Sequence, residues 1–240
     1  MWSQKAWGYD HGLAVIWVVA SVVLAVLLYL LGKYRMGDGR GILIDGRNKV
    51  SLSRLQLVGW TLVVLSAMLA WVIGKGTLKL HVPDELLALL GISVASTAAA
   101  ITVKAVNATR DVNEAEVARV NTEGAPDPKG KPVGHNGRVI VNDKPDRARF
   151  SDIFMSENPR DAGTIDLGKV QMFAFTVLVW IGYVLLLGRD GFGAVEGKAG
   201  VFGFPPIDGT IVTLIGLSHA GYLTVKALPT VGAAASEPPK

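Results

Sequence analysis

Half of the 240 residues are hydrophobic, 18% are charged, the formal net charge is +4, and there is no cysteine. The missing cysteine excludes a disulfide framework, a thiolate metal site and a lipidated cysteine. The basic balance would suit nucleic acid, but charge alone is a weak footprint for it. Membrane topology accounts for the charge instead, because the apolar residues are gathered into long runs.

Five runs stand out: Leu13 to Leu31, Leu55 to Ile73, Leu86 to Val103, Val170 to Leu187 and Ile211 to Val225. A helix needs about 20 apolar residues to cross a bilayer core. The fifth run reaches that length only if Thr210 and Lys226 form its ends, with the lysine stem reaching toward the headgroups. None of the runs has Asp, Glu, Lys or Arg in its middle, as a bilayer interior demands. The fold class expected is an all-α membrane protein with five transmembrane helices.

The N-terminal unit, 1–32, reads as a retained transmembrane anchor. Only Lys5 precedes its first apolar run, which is longer than the core of a cleaved signal. The connector 33–53, with Gly32 just before it, carries Gly37, Gly39, Gly41 and Gly46 around a short apolar stretch, GILID. These glycines do not follow a strand and open a helix, so they are not a dinucleotide loop.

Residues 54–103 form a first hairpin. Beyond it, 104–165 reads as a cytoplasmic helix extension, a linker and a short strand. The helical pattern runs to Asn121 without Gly or Pro, which would carry the third span about 25 Å past the membrane. Segment 122–137 has linker composition. GRVIVND, 137–143, reads as a strand that could pair with GILID, 41–45, in a short β-hairpin. RARFSDIFMSEN places Phe150, Ile153 and Phe154 together, either on an interfacial helix or in a solvated loop. A second hairpin, 166–227, and a cytoplasmic tail, 228–240, complete the chain.

The two hairpins look like copies of one unit. Leu52, Gln56, Thr61 and Val64 recur as Leu167, Gln171, Thr176 and Val179, an offset of 115 residues; LLGISVAS at 89–96 matches LIGLSHAG at 214–221, an offset of 125. Lys and Arg total 19 in segments 32–54, 104–169 and 226–240, against five in 1–12, 74–85 and 188–209. By the positive-inside rule the N-terminus is outside and the C-terminus cytoplasmic. The hairpins are then parallel repeats, related by an axis along the membrane normal rather than inverted.

Candidate interface residues lie at equivalent places in the repeat: Gln56, Trp60 and Ala67 on one helix face, Gln171, Phe175 and Gly182 on the other. Ala67 and Gly182 suggest close helix approach there. The candidates for a pathway or for packing are Ser93, Ser96, Thr97, Ser218, His219 and Tyr222. Small and hydroxyl residues suit close packing of membrane helices, and packing is the favoured account. The opposite side of the third span, Gly91, Ala95, Ala98 and Thr102, suits burial as well. His219 lies near the middle of a span. An ionisable group at that depth suggests a functional site, but a neutral ring bonded to a Ser, Thr or Tyr of another helix is the favoured account, because no Asp or Glu shares the membrane with it.

No catalytic residues are expected. Ser218 and His219 point about 100° apart on one helix, and His11, His81, His135 and His219 are too scattered for a metal site. No cofactor is expected either.

The strings GILIDGRNKVSLSRLQLVGWT, ARFSDIFMSE, TIDLGKVQMFAFT and LIGLSHAGYLTVKA resemble a family of bacterial inner-membrane proteins that has no transferable activity. The resemblance covers most of 41–227 and implies the bacterial cytoplasmic membrane. The leading expectation is a homo-oligomer that forms a pore or small-solute pathway and is not an enzyme. The alternative is a non-conducting anchor or scaffold that recruits a cytoplasmic protein through 33–53 and 104–165. Partners are thus the lipid bilayer, other copies of the chain and a cytoplasmic protein, with no nucleic acid.

Overall fold

The computed structural model describes residues 11–122, 134–159, 163–190 and 202–227. Most of the expected linker and all of the tail, 228–240, lie outside the described residues, as do the first ten residues.

Each apolar run becomes a helix: α1 (His11–Met36), α2 (Leu52–Lys75), α3 (Asp84–Ala108), α5 (Leu167–Asp190) and α6 (Gly209–Ala227), with a short α4 (Glu114–Thr122) between the hairpins. Local signals set their ends. Pro83 precedes α3, and Asp84 and Glu85 occupy its first turn, where the helix dipole favours negative charge. Gly76 closes α2 in the left-handed region at φ 66° and donates its N–H to the Val72 carbonyl. Four helices, α1, α2, α3 and α5, are long and apolar enough to cross a membrane. The 19-residue α6 is shorter.

α5 starts 115 residues after α2 and both are 24 residues long; α6 starts 125 residues after α3. Short strands join the connections at one end. β1 (Leu80–His81) pairs in parallel with β4 (Phe202–Gly203), in the register Leu80 to Phe202. Phe202 N–H donates to the Lys79 carbonyl and Phe204 N–H to that of His81, both at 3.0 Å. This clasp ties the loop after α2 to the loop before α6.

The main core lies beneath the clasp and between the helices. Trp60 meets Trp180 and Tyr183 edge-on, at 6.5 and 6.0 Å, and Trp71 stacks on Phe202 at 5.2 Å. α1 sits at the rim. It packs on α2 through a narrow seam of Leu13, Trp17 and Ala20, while Val15, Val18, Val22, Val26 and Leu30 are exposed. Trp17 donates from Nε1 to Ser66 Oγ at 3.0 Å, a polar bond worth roughly 0.6–2 kcal/mol between membrane helices.

The other end is covered by a cap made from residues 37–51 and 134–159. A second apolar cluster holds it down: Ile44, Val50, Leu52, Ala148, Ile153 and Met172. Three expectations are corrected in the cap.

First, α3 does not run to Asn121. It stops at Ala108, and α4 begins afresh at Glu114. The Arg138 backbone N–H takes the Asn107 carbonyl and its Nε takes the Asp111 carbonyl, so the hairpin competes for the groups a longer helix would use. Asn113 then accepts from Ala115 N–H at 3.0 Å, as an N-cap does.

Second, strand 139–141 does not pair with 41–45. It is β3 (Val139–Val141) and pairs antiparallel with β2 (Gly134–Asn136). The turn residue Gly137 has φ 52°, and a Cβ there would fall 2.4 Å from the Ala108 carbonyl oxygen. Only glycine suits both demands. GILID forms a 3-10 turn, Gly41–Leu43, and Ile44 bridges to Val50 instead. The two segments still meet, because Asn48 and Asn142 each donate a side-chain amide N–H to the other's carbonyl at 2.8 Å.

Third, Phe150–Phe154 is a 3-10 turn, neither an interfacial helix nor a solvated loop. Ile153 is buried, and Phe154 packs edge-on against Phe173 at 5.0 Å.

Candidate functional site

The cap closes around one carboxylate. Glu157 Oε1 accepts Lys169 Nζ at 3.1 Å and Arg47 Nη2 at 3.2 Å, with Lys104 Nζ at 3.6 Å; Oε2 pairs with Lys226. Those cations come from four separate parts of the chain. Arg47 is presented by the turn 44–50, where Asn48 takes the left-handed region at φ 58°. Lys104 lies near the end of α3, Lys169 near the start of α5 and Lys226 in the last turn of α6.

Asp45 is the second acid of the cluster, accepting Arg47 Nη2 and Lys104 Nζ, both at 2.8 Å. Lys169 also donates to the Met155 carbonyl at 2.7 Å and Lys226 to Tyr222 OH at 3.0 Å. Lys226 therefore turns into the cap and does not reach toward headgroups, as had been expected of it.

Burial alone would raise the pKa of Glu157, but Arg47, Lys226, Lys169 and Lys104 outweigh it and hold the carboxyl well below its ordinary range. Burial likewise opposes the charge on Asp45, yet Arg47 and Lys104 bring its pKa down to about 2. Both acids are thus more acidic folded than unfolded, where they titrate near 4. Their contribution to stability is complete above about pH 4 and drains away as pH falls toward 2. Thermal melts of the detergent-solubilised protein should be level from pH 7 to about pH 5 and fall steeply below about pH 4. Asp45→Asn should flatten part of that slope; a melting temperature level down to pH 3 would count against the network.

Beside this cluster a chamber of about 720 Å³ opens between α5, α6 and the cap. Gln171, Phe175, Ser218 and Tyr222 line it, and so do Leu214 and Leu217 deeper along α6. Its cap side carries Lys104, Lys226, Arg110 and Arg138, against Glu157 and Asp166. Arg110 donates to Asn107 Oδ1 and Arg138 to the Asp111 carbonyl; among the described residues neither pairs with a carboxylate.

The candidate residues read from the sequence divide between two places. Ser218, Tyr222, Gln171 and Phe175 line the chamber. Ser93 and Ser96 are buried within the bundle, and Thr97 donates to the Ser93 carbonyl at 2.8 Å and lies 3.3 Å from that of Ser53. His219 turns away from the chamber to meet Gln56: their Nε2 atoms are 3.4 Å apart, and Gln56 donates to Thr176 Oγ1 at 2.7 Å. An amide nitrogen only donates, so this contact needs a neutral ring with its proton on Nδ1.

The repeat is not symmetric in use. Gln56 is 1% exposed at a three-helix junction, whereas its counterpart Gln171 is exposed on the chamber wall. Trp60 is buried among aromatic rings; Phe175 is half-buried.

Two packing expectations are corrected here. Ala67 is fully buried, but Gly182 is exposed with open space where a Cβ would stand. The close approach falls instead at Gly59, where a Cβ would lie 2.2 Å from the Trp180 ring. In α3, Gly91, Ala95, Ala98 and Thr102 are exposed, because only the serine side of the helix faces its neighbours.

Sequence reasoning missed the charge cluster. Its members lie 45 to 226 residues along the chain and share no spacing. One signal was available, since Lys104, Lys169 and Lys226 each stand at the basic end of an apolar run. Their place as topology markers does not tell which acid they meet.

Comparison of the chain with family models, with curated proteins and with solved structures finds no match in any of the three.

Proposed function

We propose that the chain is a five-span protein of the bacterial inner membrane that admits a negatively charged solute to the chamber at its capped end. The observation that carries this reading is the chamber itself, with four cations at its cap side and apolar walls beyond. Its size is that of a small-molecule site, and such a field concentrates anions at the opening. α6 is the fifth span in this reading, running beside both α3 and α5. The constant offsets between helix starts and the equal lengths of α2 and α5 support the repeat. Nineteen of the 24 basic residues support placing the cap in the cytoplasm.

The expected pore is narrowed accordingly. The chamber serves as the cytoplasmic inlet of a small-solute pathway, and a homo-oligomer supplies the rest. The exposed small-residue side of α3 suits helix approach between copies. In liposomes the protein should pass chloride or phosphate in preference to potassium. Arg110→Glu with Arg138→Glu should lower that flux by roughly tenfold through loss of the attracting field. Absence of anion flux under every gradient, together with no stabilisation by phosphate, would remove the reading.

A second reading, the scaffold, is favoured by α4, which leaves Glu114, Ala115, Ala118, Asn121 and Thr122 exposed. Its test is crosslinking before and after replacing 114–122 alone, because Lys104 and Glu157 belong to the folded body.

A further inference from the structure

We infer that the chamber holds an anionic, phosphate-headed lipid drawn sideways from the adjacent leaflet. This inference rests on the chamber being an anion site and names its occupant.

Three observations point the same way. The buried cluster holds four cations, Arg47, Lys104, Lys169 and Lys226, against two carboxylates, Asp45 and Glu157. Arg110 and Arg138 then add two guanidinium groups to the chamber wall, with only Asp166 as a further acid there among the described residues. Buried charge is tolerated when it is compensated, and an anion in the chamber would compensate the excess of basic groups there. Guanidinium groups match phosphate oxygens in geometry as well as in charge.

The second observation is depth. From Lys226 to Leu214 the lining runs twelve residues along α6, about 18 Å. Half of a bilayer's hydrocarbon core is about 15 Å. The chamber therefore spans one leaflet, with its cations where a headgroup lies and Phe175, Leu214 and Leu217 where an acyl chain lies.

Third, the apolar wall is open at its side. Leu214 is 48% and Leu217 65% exposed although both line the chamber, and Ile165, at 60%, flanks the opening beside the cap. A soluble ion gains nothing from such a wall. An acyl chain gains contact along its whole length and can enter without leaving the membrane.

The test uses the full-length protein in detergent, with a fluorescent phosphatidic acid as probe and fluorescence anisotropy as readout. Unlabelled phosphatidic acid should displace the probe, whereas phosphatidylcholine and inorganic phosphate should each need roughly tenfold more or fail. Arg110→Gln with Arg138→Gln should weaken probe binding by roughly tenfold or more. Leu217→Trp, which fills the apolar wall, should weaken the lipid and leave the stabilisation by inorganic phosphate unchanged. Both variants keep the buried cluster, and an unaltered elution profile checks that they fold.

If inorganic phosphate displaces the probe as well as the lipid does, the lipid inference falls and the anion chamber stands. If neither lipid nor phosphate binds, both fall. Equal binding of the probe to wild type and to the arginine variant would mark it as unspecific surface lipid and overturn the inference.

Discussion

Glu157→Gln is expected to destabilise the protein by about 3–5 kcal/mol, the usual cost of removing one partner from a buried ionic group. The melting temperature should fall by roughly 10 °C. Glutamine keeps the size of the side chain and deletes its charge, leaving Arg47, Lys104, Lys169 and Lys226 around a neutral amide with Asp45 as the remaining acid of the cluster among the described residues. Four cations within reach of one another then repel in a site from which water is largely excluded. Removing one cation at the same time should recover part of the loss, so Glu157→Gln combined with Lys226→Met should cost less than the sum of the two alone. Thermal melts of all four proteins in one detergent complete the cycle. A single variant within about 0.5 kcal/mol of wild type would mean that the charges are solvated and the cap is held by its apolar cluster alone.

The second large effect lies at the opposite end. Phe202→Ala should cost about 3–5 kcal/mol, the range for removing a buried aromatic ring. Phe202 is 0% exposed, stacked on Trp71 and 4.7 Å from Phe204, so its removal leaves a space between these rings. Its backbone also anchors the clasp between β1 and β4. The variant should unfold at lower temperature and admit protease to the loop at 76–83 while the capped end stays protected. Phe202→Leu, which keeps most of the volume, should cost less than half as much. Equal protection of the loop in wild type and Phe202→Ala would show that the clasp does not hold the two hairpins together.

What the sequence reveals here is governed by range. A helix is made from neighbours, so the apolar runs locate α1, α2, α3, α5 and α6, and Gly76 and Pro83 locate two ends. Pairings across long separations are hidden. Nothing near GILID announces that Arg47 will meet an acid 110 residues later; the partner of Val139, by contrast, is the strand just before it and not GILID. That second error had a local remedy, because Asn136 and Gly137 form the dipeptide that favours a tight hairpin; a linker composition at 122–137 masked it. The break after Ala108 was legible in Asn113 and Glu116, whose spacing is that of a capping box. His219 illustrates a different limit. Its place near the middle of an apolar run was readable, but whether it faces a chamber or a glutamine depends on the rotation of α6, set by packing against α3 and α5. The same rotation brings Ser218 to the chamber.

Lys226 also sets a time order. It is the final member of the charge cluster to leave the ribosome, 69 residues after Glu157 and 179 after Arg47. Until it arrives the acid has three of its four cations, and the wall that α6 contributes to the chamber does not exist. The charge cluster at the cap is therefore completed only once α6 has been made and packed. A chain truncated before α6 should stay open at this end, exposing Arg47 and Glu157 to the quality-control proteases that remove unfinished membrane proteins.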